Sequence, residues 1–147
     1  MDAVVLFGSQ VSGGSDDRSD QDLLVICKFS EKKRKIKEYS SQGYSVSVYT
    51  PKQLALMKEH GSLFLQHLKL ESRVLHDSGN LFRQFITSCE FVRPPSTEMK
   101  SCVRALINAM HCPSQASLSW WAADYLFVLS RDFFVKHFAL SDRLIFN

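Results

Sequence analysis

The stretch that decides the fold is Leu6-Phe7-Gly8-Ser9-Gln10-Val11-Ser12-Gly13-Gly14, followed by Ser19-Asp20-Gln21-Asp22-Leu23-Leu24-Val25. The apolar run Ala3–Phe7 is short, contains β-branched residues and stops at a glycine, which predicts a buried strand. A Gly-Ser turn directly after a strand can direct backbone N–H groups and a hydroxyl at a phosphate. Gly8 and Ser9 are therefore candidate phosphate-binding residues.

Two acids stand at the start of the next apolar run, which also predicts a strand. Asp20 and Asp22 are two residues apart, so an extended backbone directs both carboxylates to one face. The two like charges repel each other unless a cation lies between them. Mg²⁺ prefers oxygen ligands and usually takes one or two carboxylates together with substrate phosphates. The strand–turn–strand unit thus predicts a phosphate site next to a magnesium site.

Together these motifs resemble the signature of the DNA-polymerase-β-type nucleotidyltransferase superfamily, and more narrowly that of the minimal nucleotidyltransferases of bacteria and archaea. The resemblance covers residues 3 to 77. It implies an α+β fold in which a small mixed β-sheet is flanked by helices. It also implies that Gly8 and Ser9 bind a nucleoside triphosphate, and that Asp20 and Asp22 are catalytic and bind two Mg²⁺ ions.

Two segments depart from the pattern of that family. The family commonly reads Gly-Ser-x-Ala-Arg-Gly, and Ser12 stands where its arginine would be. Active relatives carry a third acid on a later strand; the matching strand here is Tyr44–Tyr49, in which Ser45 or Ser47 faces the cleft. A serine is a poor substitute for a carboxylate ligand and does not act as a base near neutral pH.

Two later acids are the nearest in sequence that could replace the missing one. Glu71 ends a predicted helix that begins near Leu63, and Asp77 follows a predicted short strand, Arg73–His76. For each acid, a surface charge without a catalytic role is the competing interpretation. His67, on the apolar side of the same helix, is interpreted as a core histidine.

After residue 79 the sequence changes from alternating strands and helices to helices alone. We therefore expect a nucleotidyltransferase-like domain over residues 1–78 and a helical region of three helices over residues 79–147. In the helical region, Arg131 and His137 fit a loose arginine–histidine pattern that resembles the motif of HEPN-type ribonucleases. The competing interpretation is that both side chains lie on an exposed side of a helix.

Composition and charge limit the class of protein. The 147 residues carry a net charge of +3, and 45% of them are hydrophobic, which is ordinary for a globular protein. No apolar run approaches the roughly 20 residues that span a bilayer. The N-terminus lacks a signal-peptide pattern, and the four cysteines show no metal-binding spacing. We expect a cytoplasmic protein with reduced thiols and no membrane partner.

Two functions are compatible with these residues. The first is an enzyme that uses Mg²⁺ held by Asp20 and Asp22 to transfer a nucleoside monophosphate from an NTP to a hydroxyl of a protein, an RNA or a small molecule. The second is a catalytically degenerate relative that acts as a binding, scaffolding or antitoxin-like subunit. Both aspartates favour the first, whereas Ser12, the missing acid and the absence of a helix before Ala3 favour the second. We expect an NTP ligand and a protein partner or homo-oligomer; the scattered basic residues give no basis for predicting RNA binding.

Overall fold

The computed structural model describes residues 2–8, 21–111 and 119–146, and for 119–121 it describes the backbone alone. The chain divides into two compact units, Met1–Val92 and Arg93–Phe146. This division lies later than the predicted boundary after residue 78. The reason is that the helix Leu81–Thr87 belongs to the first unit, where Phe82 is fully buried in the core beneath the sheet.

The first unit is an α+β structure built on a four-stranded mixed sheet. Its strands are β1 (Ala3–Phe7), β2 (Gln21–Ile26), β3 (Tyr44–Tyr49) and β4 (Ser72–Asp77). Its described helices are α1 (Lys32–Ser40), α2 (Pro51–Glu59), α3 (Leu63–Leu70) and α4 (Leu81–Thr87), with 3₁₀ turns at Phe29–Glu31 and Ser78–Asn80. The strand order is β3-β2-β1-β4; β1 is antiparallel to both neighbours and β3 is parallel to β2. The predicted α+β class with a small mixed sheet is confirmed.

The strands β1 and β2 are buried on both faces over most of their length, because their alternate residues enter two separate cores. This explains why β1 and most of β2 read as continuous apolar runs instead of alternating ones. Residues of α2, α3 and α4 pack on one face, and Tyr39 of α1 packs on the other. The first core includes Val5, Phe7, Leu24, Ile26, Leu54, Leu65, Leu68 and Phe82; the second includes Val4, Leu6, Leu23, Val25, Cys27 and Val48.

The second unit pairs two long helices, α5 (Ser96–Met110) and α6 (Ser119–Leu140). A polar cluster joins them: Asp132 Oδ2 lies 2.7 Å from Lys136 Nζ and accepts a hydrogen bond from the Cys102 thiol 2.9 Å away. Burial by itself raises the pKa of Asp132, but the hydrogen bonds from Cys102 and Lys136 and the lysine charge outweigh burial and hold this pKa below its usual value. Burial, and then the neighbouring Asp132, raise the pKa of the Cys102 thiol.

The helix α6 has 22 residues, and its apolar side chains are interrupted by charged ones, among them Asp124, Arg131 and Lys136. Neither this helix nor any other in the described part of the chain combines the length and the apolar character needed to cross a membrane.

Candidate functional site

Gly8 and Asp22 lie against each other at the end of β1. The antiparallel register pairs Asp22 with Phe7, the last residue of β1, and Gly8 follows directly. Gly8 has a φ of +85°, and a Cβ built on it would lie 3.1 Å from Asp22 Oδ2. A side chain at position 8 would therefore be strained by its backbone conformation and crowded by the carboxylate. The glycine allows the backbone that follows β1 to approach the carboxylate closely.

Two of the four predicted site residues, Gly8 and Asp22, are thus brought together. The other two, Ser9 and Asp20, lie outside the described residues, as does Ser12. Across residues 2–8, 21–111 and 119–146, no three His, Cys, Asp or Glu side chains form a group that could hold a metal ion. The described part of the predicted magnesium site is the half-buried carboxylate of Asp22 beside the backbone of Gly8.

Ser45 occupies the position beside Asp22 on the neighbouring strand. The parallel register of β2 and β3 pairs Asp22 with Ser45, and Leu24 with Ser47. Because paired residues of a sheet project from the same face, Ser45 is the serine next to the aspartate, and Ser47 lies one pleat further along the strand. The position at which the resemblance implies a third acid therefore carries a hydroxyl.

A histidine–glutamate pair lies at the same end of the sheet as Gly8. The helix α3 ends at Leu70, Glu71 follows, and Ser72 begins β4 in register with Phe7. His67, one helical turn before Glu71, places its Nε2 3.3 Å from Glu71 Oε2. Its ring contacts the ring of Phe7 edge to face, with centroids 5.9 Å apart. The interpretation of His67 as a buried residue is confirmed, but its partner is a carboxylate, which the apolar pattern of α3 did not reveal.

Asp77, the other acid considered as a replacement, lies at the opposite end of β1. Its register partner is Ala3, whereas Gly8 follows Phe7 at the far end of the same strand. The two carboxylate oxygens of Asp77 accept hydrogen bonds from the backbone N–H groups of Phe82 and Arg83, each at 3.0 Å. A carboxylate at a helix N-terminus satisfies amides that lack partners in the helix and favours the helix dipole. Asp77 therefore stabilises the start of α4 and is not part of the site near Gly8.

Arg131 and His137 do not converge. They are six positions apart on α6, which corresponds to about 240° around the helix axis. Arg131 Nη2 donates a hydrogen bond to the backbone oxygen of Phe146 at 3.1 Å, and the ring of His137 stacks on that of Phe133 with centroids 5.9 Å apart. Both residues are exposed, which agrees with the interpretation that they are surface side chains of a helix and not parts of a ribonuclease motif.

The basic helix α1 neutralises part of its own charge. Arg34 contacts Glu31 at 3.3 Å and Glu38 at 3.4 Å, and Lys35 contacts Glu38 at 3.4 Å. Pairs at this exposure contribute little to stability. They do reduce the positive charge that α1 presents to a polyanion such as RNA.

The sequence matches no family model, and a search of curated proteins finds no significant match. The geometry around Gly8 and Asp22, and the motifs in which these two residues stand, are therefore the basis for assigning a function.

Proposed function

We propose that this protein is a nucleotidyltransferase-fold enzyme that transfers a nucleoside monophosphate from an NTP to a hydroxyl acceptor in a Mg²⁺-dependent reaction. The observation that carries the proposal is the close approach of Gly8 to the Asp22 carboxylate, with 3.1 Å between the Cβ position of the glycine and Oδ2. A glycine with a positive φ leaves room for a phosphate to approach the backbone beside the carboxylate, which supports a metal–phosphate site here. The sheet order and the mixed register are compatible with this fold.

The chemistry of the donors fits Mg²⁺. Asp22 offers carboxylate oxygens. Asp20 lies outside the described residues, and its spacing of two positions from Asp22 predicts a second carboxylate on the same face of an extended backbone. Both are hard oxygen ligands of the kind that Mg²⁺ takes together with phosphate oxygens. Bound there, the ion would neutralise charge on the triphosphate and on the pyrophosphate leaving group.

Different groups of the chain would bind different parts of the nucleotide. The backbone N–H groups after β1 and the hydroxyl of Ser9 would hold the terminal phosphates of the NTP. Asp20 and Asp22 would fix the position of the α-phosphate through the ion they share. Because Gly8 has no side chain, a phosphate bound by this backbone would lie close to the Asp22 carboxylate, which would favour attack by a positioned hydroxyl.

A second function is favoured by one specific observation, the serine at position 45. With a hydroxyl beside Asp22, the carboxylate set on β2 and β3 is incomplete, and a protein with this set could retain NTP binding without turnover. Such a protein would serve as a binding, scaffolding or antitoxin-like subunit for a partner protein. Nucleotide binding is common to both functions, and transfer distinguishes them.

The experiment that tests the proposal follows α-³²P label from each of the four NTPs, with and without Mg²⁺, into co-purifying proteins, RNA and small molecules. We expect Mg²⁺-dependent label transfer by the wild type and none by Asp20→Asn/Asp22→Asn. Asp124→Asn is the matched control, because it makes the same chemical change on an exposed position of α6. NTP binding without transfer by the wild type would refute the enzyme and support the binding subunit; no binding would refute both.

A further inference from the structure

The strand β3 lies at an open edge of the sheet. In the described part of the first unit it pairs with β2 alone. A sheet edge carries unpaired backbone N–H and C=O groups, which proteins usually shield with charged side chains, proline or a β-bulge. The six residues Tyr44–Tyr49 read Tyr-Ser-Val-Ser-Val-Tyr, without charge or proline, and their register with β2 is continuous. β3 is therefore a regular, uncharged edge strand of high β propensity.

The opposite edge of the sheet, β4, carries the usual protection. It reads Ser-Arg-Val-Leu-His-Asp, so three of its six side chains are charged or titratable. Successive residues of β1 pair with His76 and Val74, so Leu75 between them forms a β-bulge. A bulge twists the strand and interrupts the row of backbone groups that a neighbouring strand would bond. The contrast indicates that β4 is shielded against a further strand and that β3 is not.

The backbone of β3 presents alternate residues to the open edge. Tyr49 accepts a hydrogen bond at 3.2 Å from the backbone N–H of Cys27, so the backbone groups of Tyr49 face β2. Because these groups alternate in direction along a strand, those of Tyr44, Val46 and Val48 face away from β2. The side chains of the same three residues pack on the second core, where Val48 is buried and the other two are half-buried.

A second copy of β3 complements this edge. In an antiparallel pairing about a two-fold axis at Val46, this residue opposes its own equivalent and Tyr44 opposes Val48. The three outward-facing residues of each strand then form about six backbone hydrogen bonds. Apolar side chains meet apolar ones, Ser45 meets Ser47 on the other face, and no like charges oppose each other. An axis at Ser47 would give only about four such bonds, because the backbone groups of Ser47 face β2.

The two-fold pairing also closes on itself. Pairing β3 with β4 of another copy would leave a free edge at each end and extend into a fibre, and the bulge and charges of β4 oppose that contact. Pairing β3 with β3 covers both open edges at once. At one hydrogen bond per 100–200 Å², about six bonds correspond to an interface of about 600–1,200 Å². An interface of that size is typical of a weak, reversible complex.

We propose that this protein forms a two-fold dimer in which β3 of one copy pairs antiparallel with β3 of a second copy, with the axis at Val46. The two four-stranded sheets then form one eight-stranded sheet. The half-buried side chains of Tyr44 and Val46 become covered, and the second cores of the two copies lie side by side. The inference depends on the edge of the first unit and not on the proposed nucleotide transfer.

Sedimentation velocity over about 5–200 μM protein tests the inference, since a complex of this size is weak. We expect the wild type to shift from monomer to dimer as the concentration rises. Val46→Lys and Val46→Glu each place two like charges opposite each other at the axis and should weaken dimerisation at least about tenfold. An equimolar mixture of these two variants should dimerise again, because the opposed charges then attract. Leu75→Lys, the matched control at an exposed position of β4, should dimerise like the wild type.

A cysteine at the axis provides a test that adds no charge. In a hydrogen-bonded pair of an antiparallel ladder the two Cα atoms lie about 5.5 Å apart, which suits a disulfide. Val46→Cys should therefore form a covalent dimer in oxidised glutathione. Ser47→Cys should not, because its Cα would lie more than about 7 Å from its equivalent. The wild type, treated in the same way, controls for its own cysteines.

The outcomes decide the proposal. A wild type that stays monomeric at about 200 μM overturns it, and so does a dimer that Val46→Lys leaves unchanged. Species larger than a dimer that Leu75→Lys blocks would assign the contact to β3 and β4 and would also overturn it. If the charged variants lose the circular dichroism of the wild type, crosslinking decides: a covalent dimer of Val46→Cys alone supports the pairing, and any other pattern contradicts it.

Discussion

Replacing Gly8 by alanine tests the close approach of the backbone to the Asp22 carboxylate at the candidate site. The new Cβ meets two obstacles: a φ of +85° and a distance of 3.1 Å to Asp22 Oδ2. A left-handed backbone costs an L-residue about 1–2 kcal/mol, which lowers the free energy of unfolding by that amount. The short contact displaces the carboxylate by a few tenths of an ångström. Because Mg²⁺ tolerates little departure from octahedral geometry, we expect about a tenfold loss of Mg²⁺-dependent NTP affinity.

Gly43→Ala is the matched control for this prediction. Gly43 has a φ of +88°, close to that of Gly8, but a Cβ built on it has no heavy atom within 4 Å. Urea unfolding followed by circular dichroism should show a similar loss of stability for both variants, about 1–2 kcal/mol. Calorimetric titration with Mg²⁺·NTP should show weakened binding for Gly8→Ala alone. Wild-type affinity in Gly8→Ala, or an equal loss in Gly43→Ala, would refute the assigned contact between the glycine and the carboxylate.

Three further predictions concern contacts away from the site. Asp77→Ala removes the acceptor of two α4 backbone N–H groups and should lower the free energy of unfolding in urea by about 1 kcal/mol. NTP binding should not change, and a loss of binding would contradict the placement of Asp77 at the far end of β1. Gly61→Ala places a Cβ 2.7 Å from Val92 Cβ and should lower the free energy of unfolding more than Gly43→Ala does. Adding Val92→Gly to Gly61→Ala should recover part of that loss. If the two substitutions instead change the free energy of unfolding additively, the clash is refuted. Because the pKa of Asp132 is lowered in the folded protein, its contribution to stability is present above the unfolded pKa, about 3.9, and is lost as pH falls below that value. Lys136→Met should weaken this loss of stability in acid, measured by urea unfolding between about pH 2 and 6. An unchanged pH dependence in the variant would contradict the pairing of Asp132 with Lys136.

Much of the first unit follows from local sequence signals. The strands Ala3–Phe7 and Tyr44–Tyr49 are bounded as the apolar runs and flanking turn residues predict. The close approach of Gly8 to Asp22 also follows, because a glycine that ends one strand and an acid that begins the next meet when those strands pair as neighbours. These features depend on short-range patterns, which the sequence carries directly.

Other features depend on tertiary contacts that no local pattern encodes. Ser45 and Ser47 share one face of a strand, so only the register with β2 decides which of them lies beside Asp22. The helix α4 looks like the start of a helical region, yet the burial of Phe82 places it with the sheet. Glu71 follows α3 directly, four residues after His67, a spacing that signals contact, but the contact of His67 with Phe7 depends on how α3 packs on the sheet.

The measurement that tests the central claim most directly is calorimetric titration of each NTP into the wild type and Asp22→Asn, with and without Mg²⁺. The claim is that Gly8 and Asp22 border a metal–nucleotide site. We predict NTP binding by the wild type that requires Mg²⁺ and that falls at least about tenfold when the Asp22 charge is removed. Binding that is absent, or that is indifferent to both Mg²⁺ and Asp22, would contradict the account.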